Sequence, residues 1–176
     1  MTIIAIDPGA SGGIAVQDRL GVSAWKMPST ERETVQFLKD LTIFSRVNGP
    51  KKIAYVEQLV KHMGPGQPAS RMAVYASNWG VVVGALLMAG WQLVIVRAQD
   101  WQEGLGLGIS GKKKCSKKFT KKQNEQIKLE NSRIKRDWKN KLKSEAVKSF
   151  PRLAATLKTA DALLILKYAT KKERYE

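Results

Sequence analysis

One segment near the N-terminus decides the fold: TIIAIDPGASGGIAV, residues 2–16. Its first half is a short Ile-rich run that ends at Asp7, which is typical of a central β-strand. Pro8 and the glycines that follow it predict a tight turn, and Ile14–Val16 resumes an extended strand. A further strand is predicted at Val22–Trp25, so the chain opens with an antiparallel meander.

Downstream, helical and extended patterns alternate. The predicted elements are, in order, a helix starting near Ser29–Glu33, a strand at Lys52–Val56, a long helix at Met72–Met88, a strand at Trp91–Val96, a short helical segment from Ala98, and helices at Lys143–Phe150 and Lys158–Thr170. Strands and helices in this order predict an α/β fold, in which helices flank a mixed five-stranded sheet. We expect a single domain at residues 1–170 and a frayed, charged tail at residues 171–176.

The balance of charge is unusual. The chain has 176 residues, the size of one domain, and 31 Lys and Arg against 15 Asp and Glu give a net charge of +16. An excess of this size predicts a polyanionic partner, first a nucleic acid and second an anionic membrane surface. A histone-like or ribosomal protein would share the charge, so charge alone decides nothing about catalysis.

The number of cysteines and the length of the apolar runs indicate in which cellular compartment the protein is expected. Cys115 is the only cysteine, so an intrachain disulfide is excluded and a cysteine-based zinc site is not expected. A single thiol fits a reducing compartment. No basic region followed by an apolar run opens the chain, so no signal peptide is predicted. The apolar stretch Trp79–Leu93 is interrupted by glycines and Gln92, so no membrane span is expected.

Much of the positive charge lies in one segment. Between Lys112 and Lys148 there are fifteen Lys and Arg against four acids, and we expect a Lys-rich insert at about residues 109–141, part loop and part exposed helix. Such a run is either a solvated face or a surface that tracks DNA phosphates with steep salt dependence. Phe119 and Trp138 are candidates for stacking on bases, although Trp138 also fits a packing role.

Three acids lie within apolar runs, at positions where a catalytic site would need them. Asp7 ends the first strand, Glu57 ends a later strand, and Asp161 lies on the inner side of the last helix. A carboxylate beside core residues is costly unless its charge is compensated. Each acid alone fits a cap, a turn or an ion pair, but three on a basic chain favour a site for a hard divalent cation.

The chain resembles the RuvC-like Holliday junction resolvases, of the RNase H-like superfamily. The similar stretches are IAIDPGASGGIA at residues 4–15, AYVEQ at residues 54–58 and ADALLI at residues 160–165. The likeness covers nearly the whole chain except the basic insert, and it is closest to the phage and organellar type. Together, three motifs in this order at fitting separations are fairly specific.

The resemblance implies an RNase H-like fold and a homodimer that makes paired nicks in four-way or related branched DNA. It implies that Asp7, Glu57 and Asp161 bind Mg²⁺, with Mn²⁺ as a possible substitute, and that Lys143 is a catalytic lysine near the scissile phosphate. The implied location is the cytoplasm of a bacterium or phage-infected host, or an organelle or nucleoid. The basic residues expected to contact DNA are Lys61, His62, Lys117, Lys118, Lys121, Lys122, Lys141 and Lys143.

Small residues on one face of the Met72–Met88 helix are the implied dimer interface. They are Ala73, Ala76, Gly80 and Gly84, spaced three or four residues apart. A face of this kind lets another backbone approach closely. The alternative is an ordinary helix packed on its own sheet.

Two positions depart from the family pattern. Members carry a fourth carboxylate three or four residues before the last one, where this chain has Leu157 and Lys158. Glu145 is an alternative source of that acid, and Lys158 is a candidate to lend a positive charge in place of an ion. The aromatic wedge of the bacterial enzymes is also missing, because Val60 occupies its position. His62 or Met63 are candidates to probe the junction centre.

Two other functions remain open. The missing fourth acid favours a junction-binding protein on the same fold whose catalysis is impaired. A small actin-like or sugar-kinase ATPase also has an Asp and a glycine-rich turn after its first strand. That fold needs two such domains, for which 176 residues are too few.

Overall fold

The structure is a computed structural model that describes residues 1–44, 51–59, 69–108, 111 and 119–174. Within them lie five strands and five helices. The strands are β1 (Thr2–Asp7), β2 (Gly13–Asp18), β3 (Gly21–Lys26), β4 (Lys52–Glu57) and β5 (Gln92–Val96). The helices are α1 (Glu31–Phe44), α2 (Ala69–Met88), α3 (Ala98–Gly104), α4 (Lys121–Ser149) and α5 (Ala160–Glu173). The predicted α/β class is confirmed.

The sheet is mixed, and its order is β3-β2-β1-β4-β5. The first three strands form the predicted antiparallel meander, while β4 and β5 run parallel to β1. In the parallel pair of β1 and β4, Ile6 lies opposite Val56. The next residue on each strand is an acid, so this register places Asp7 and Glu57 side by side at one edge of the sheet.

Both faces of the central strands are buried, which explains why their sequences are continuously apolar rather than alternating. On one face, Ile3 and Ala5 pack in a cluster with residues of α4 and α5. On the other face, Ile4 and Ile6 pack in a second cluster with residues of α1 and α2. The two faces of β1 therefore anchor helices on both sides of the sheet, and the acid at its end is fixed by both cores.

Helix α1 begins where its capping pattern predicts. Thr30 Oγ1 accepts a hydrogen bond from the Glu33 amide at 3.2 Å, and the Glu33 carboxylate accepts bonds from the amides of Ser29 and Thr30 at 3.0 Å. These bonds satisfy amides that have no partner inside the helix.

Helix α4 is longer than predicted. It runs without interruption for 29 residues from Lys121, whereas the sequence predicted a helix only from Lys143 and a partly looped segment before it. Thr120 and Gln123 form a reciprocal capping box that starts the helix. The wrong boundary follows from composition: the part of the helix before Lys143 is polar on nearly all sides, and Leu142 is its only buried side chain.

The end of α5 is anchored to the far edge of the sheet. The Glu173 carboxylate accepts a hydrogen bond from the Tyr55 hydroxyl at 2.8 Å and pairs with Lys51 at 2.9 Å, and its side chain is only 4% exposed. This ordered contact lies within residues 171–176, where a frayed tail was expected. Among the described residues, no helix has both the length and the apolar character that crossing a membrane requires.

Candidate active site

Asp7 is held by the turn that follows β1. Its Oδ1 accepts a hydrogen bond from the Gly9 amide at 3.1 Å, and the Gly12 amide closes the turn onto the Gly9 carbonyl at 2.7 Å. A Cβ atom on Gly12 would overlap the Asp7 carbonyl oxygen and come within 2.8 Å of Asp7 Cγ. The turn therefore requires glycine at residue 12 because the chain folds back directly onto the acid.

Glu57 is fixed through its backbone. Its carbonyl oxygen accepts a hydrogen bond from Trp79 Nε1 on α2 at 3.1 Å, and the next amide, that of Gln58, bonds to the Val96 carbonyl of β5 at 2.8 Å. The indole of Trp101 is fully buried, and its Nε1 has no hydrogen-bond partner among the described residues. The bond from Trp79 and the pairing with β5 thus define the position of the Glu57 backbone.

Asp161 lies in the first turn of α5, where the helix dipole favours a negative charge. It is only 6% exposed, between the buried Ala160 and Ala162. The approach of this helix to the sheet depends on Gly13, because a Cβ there would lie 2.6 Å from the Lys158 carbonyl oxygen. The small residue on β2 lets the start of α5 dock closely enough to bring Asp161 to the end of β1.

The three carboxylates share one site. Burial raises the pKa of Asp7, and the charge of Asp161 raises it further. Burial, followed by the charges of Asp7 and Asp161, raises the pKa of Glu57 to about 8. Each carboxyl therefore experiences the field of its neighbours, as expected where like charges are held together in a poorly solvated place. Such a cluster is typical of functional sites.

A lysine that the sequence did not predict completes the cluster. Lys139 of α4 forms an ion pair through Nζ with Asp161 Oδ2, and its charge also lowers the pKa of Asp7 and of Glu57. Burial lowers the pKa of Lys139, but attraction by the three acids outweighs burial and raises the pKa overall. One ammonium group thus faces all three carboxylates.

Tyr75 of α2 is a second unpredicted neighbour. A Cβ on Gly9 would lie 3.9 Å from Tyr75 Cε2, so the ring borders the turn that holds Asp7. Burial, then the charges of Glu57 and Asp7, raises the pKa of its hydroxyl. The sequence contained one signal for Tyr75: it is an aromatic residue on the side of the α2 helix opposite the small residues.

The chemistry of the donors fits a hard cation. Glu57 Oε2 and Asp161 Oδ1 are buried and have no hydrogen-bond partner among the described residues, which is costly for a carboxylate. Oxygen ligands of this kind are those that Mg²⁺ and Mn²⁺ prefer. With Lys139 bound to Asp161, however, no three His, Cys, Asp or Glu side chains in the described ranges are spaced to enclose an ion.

No fourth acid joins the site in the described residues. Leu157 and Lys158, where the family pattern has an acid, are both exposed. Glu145 points elsewhere, because its Oε1 accepts a hydrogen bond from Lys148 at 2.8 Å. The positive charge considered for Lys158 is instead supplied by Lys139.

The structure describes some of the residues that were predicted to contact DNA, and others lie outside the described ranges. Lys121, Lys122 and Lys143 are exposed on α4. Lys141 donates to the Leu107 carbonyl at 2.8 Å, and its Nζ lies 5.0 Å from the Trp138 ring centroid. Predicted residues that lie outside the described ranges are Val60, Lys61, His62, Met63, Lys117 and Lys118.

The aromatic residues of the basic segment differ in packing. Trp138 is partly buried against the α4–α5 core, which favours the packing role considered for it. Phe119 is 43% exposed just before α4 and remains a candidate for stacking on bases.

Comparison with solved structures identifies the fold. A structure of Thermus thermophilus RuvC in complex with a Holliday junction substrate is 15% identical, with a TM-score of 0.55, over 99% of this chain and 96% of that chain. A structure of Thermus thermophilus RuvC itself is 13% identical, with a TM-score of 0.49, over 98% and 97% of the two chains. No protein-family profile and no curated protein matches the sequence. The RuvC-like, RNase H-like fold predicted from the sequence is confirmed.

Proposed function

We propose that this protein is a structure-selective DNA endonuclease that cuts four-way junctions or related branched DNA by metal-dependent hydrolysis. One observation carries the proposal: three carboxylates from β1, β4 and α5 share one site, one of them buried and two half-buried, and two of their oxygens have no partner among the described residues. The RuvC-like fold supports it, since the similar Thermus protein was solved with a Holliday junction substrate.

In this mechanism, Asp7, Glu57 and Asp161 hold Mg²⁺, with Mn²⁺ as a substitute. A bound divalent cation would activate a water for attack on phosphorus and stabilise the leaving oxygen. The protein's contribution is orientation: the glycine turn fixes Asp7, Trp79 fixes the backbone of Glu57, and the docking of α5 fixes Asp161. We retain the prediction that Lys143, which is exposed on α4 four residues beyond Lys139, would lie near the scissile phosphate.

The basic surface would hold the DNA backbone. Helix α4 presents exposed lysines from Lys121 at its start to Lys148 in its last turn, and α3 and α5 add Arg97 and Lys171 at their ends. Phosphate contacts of this kind position the substrate without reading sequence. We therefore expect binding that weakens steeply with salt and depends on branched shape more than on sequence.

A homodimer would supply two active sites for paired nicks. On α2, the core side chains Val82 and Leu86 face the sheet, while Gly80 and Gly84 lie on the opposite side of the helix. A Cβ added to either glycine would meet nothing within 4 Å in the described structure. This face is thus available to a second copy, and a twofold dimer matches the pseudo-twofold symmetry of a four-way junction.

The decisive test is an Asp7→Asn variant, with nicking and binding measured on the same four-way junction. Cleavage with Mg²⁺ or Mn²⁺ should fall by at least about a hundredfold, because a metal ligand is lost. Binding in a chelator should stay within about twofold, since the fold and basic surface remain. Asp18→Asn, at the opposite end of the sheet, is the matched control and should cleave normally. Loss of binding together with cleavage would show that Asp7 is structural.

A junction-binding protein with impaired catalysis is the second candidate. It is favoured by the exposed Leu157 and Lys158, where a fourth acid would lie, and by the pairing of Lys139 with Asp161. Under this function the unmodified chain binds junctions tightly and makes no nicks with either metal. Any metal-dependent nicking that Asp7→Asn abolishes would exclude it.

A further inference from the structure

Lys139 is held at the carboxylates by packing and is not a loosely tethered surface lysine. It shares one face of α4 with Leu142 and Ala146, three and seven residues further on, and both of these are buried against α5. The same face therefore meets α5 near its first turn, where Asp161 lies. The side chain of Lys139 is 38% exposed and that of Asp161 is 9% exposed, so the pair sits at the mouth of a buried site.

Among the described residues, Lys139 is the one cation that lowers the pKa of both Asp7 and Glu57. The remaining cations of α4 lie along its exposed faces; Lys135, one turn earlier, is an example. The position of Lys139 is thus a specific feature of the site, although the chain is basic throughout.

The charges determine how many divalent ions this arrangement tolerates. With an ion bound, three ionised carboxylates and one ammonium carry two net negative charges, which one divalent cation neutralises. A second divalent cation would leave the cluster strongly positive, beside an ammonium held in the same poorly solvated place. The usual compensation for a second ion would be a fourth carboxylate, and the residues at that position, Leu157 and Lys158, face solvent.

We propose that Lys139 takes the place of one divalent cation, so that the site binds a single divalent ion per chain. This inference rests on the proposed metal-dependent function. Without a bound ion, Lys139 pairs with Asp161 and attracts the other two acids of the site. With an ion bound, its ammonium supplies the positive charge that a second ion would bring.

The first measurement is the stoichiometry and affinity of Mn²⁺ alone for the full chain, by calorimetry or by the spin resonance of free Mn²⁺. The unmodified chain should bind one ion. Lys139→Met should bind Mn²⁺ at least about tenfold more tightly, because a repelling positive charge is removed from the site. Lys135→Met, on the same helix and exposed, should match the unmodified chain.

The outcomes separate this inference from the function on which it rests. Two ions bound per unmodified chain, or an unchanged Mn²⁺ affinity in Lys139→Met, would overturn the role of Lys139 and leave the nuclease proposal intact. No Mn²⁺ binding by the unmodified chain, or equal binding by Asp161→Asn, would overturn the metal site itself.

Thermal unfolding in a chelator gives an independent readout. Lys139→Met should melt about 5 °C lower than the unmodified chain, because the buried Asp161 carboxylate loses its ion-pair partner, and saturating Mn²⁺ should remove most of the difference. Lys139→Arg keeps the charge and should retain most of the stability. If Lys139→Met folds only with Mn²⁺, that result supports the same role. An equal melting temperature in a chelator would contradict it.

Discussion

Trp79 donates its indole N–H to the backbone carbonyl of Glu57 at 3.1 Å. The bond joins α2 to the end of β4 at Glu57, the last residue of the strand. A residue of the core thus orients an acid of the site.

Replacing Trp79 with Phe tests this link. The ring volume is largely kept and the hydrogen bond is lost, so we expect about 1 kcal/mol less stability in urea unfolding. Junction cleavage should fall more than stability explains, because Glu57 loses its orientation. Trp25→Phe, on the partly exposed edge strand β3, is the matched control. Equal kcat in both variants would show that the bond is only structural.

Gly12→Ala should be among the most damaging single-methyl changes in the chain. The added Cβ would overlap the Asp7 carbonyl oxygen, so the turn must open. We expect a loss of about 3 kcal/mol in denaturant unfolding, with weaker Mn²⁺ binding as Asp7 shifts. Gly111→Ala, where an added Cβ meets nothing within 4 Å, provides the comparison. A normal Mn²⁺ affinity in Gly12→Ala would refute the coupling of the turn to the site.

The raised pKa of Glu57 predicts how stability depends on pH. The folded chain holds a proton on Glu57 up to about pH 8, whereas the unfolded chain releases it near 4.5. Stability from this proton is therefore complete below about pH 4.5 and is lost as pH rises to about 8. In a chelator, the melting temperature should fall over this range. Glu57→Gln should flatten the curve and be more stable than the unmodified chain at pH 8.

The control for this pH effect is Glu145→Gln. Glu145 has a lowered pKa because of its hydrogen bond with Lys148, so removing it should leave the slope between pH 5 and 8 unchanged. A melting temperature that rises with pH in the unmodified chain would be incompatible with a protonated Glu57.

The open face of α2 predicts the effect of a bulky residue on self-association. Gly80→Leu has room in the monomer and replaces a poor helix former, so the melting temperature at low protein concentration should not fall. Sedimentation should show a dimer dissociation constant raised by about tenfold or more, because a close backbone approach is blocked. Gln126→Leu, on the exposed part of α4, should leave association unchanged. Unaffected association in Gly80→Leu would move the interface elsewhere.

The sequence allowed prediction of the residues whose signals are local. Asp7 and Glu57 each follow an Ile- or Val-rich strand, and strand ends are readable from such runs. Lys139 was not predictable, because it is one of many cations on a polar helix and only the packing of Leu142 and Ala146 selects it. Thr120 and Gln123 form a capping pattern that marks the start of α4 in the sequence. The many lysines around this pattern favoured the interpretation of a loop.

The anchoring of Glu173 to Tyr55 and Lys51 has a consequence for synthesis of the protein. Asp7 and Glu57 come early in the sequence, but their partner Asp161 lies on α5, whose end is bound to β4 and Lys51 through Glu173. A growing chain can therefore assemble much of its sheet while still lacking a complete acid cluster. Under the proposed function, cutting would require α5 to be docked on the sheet.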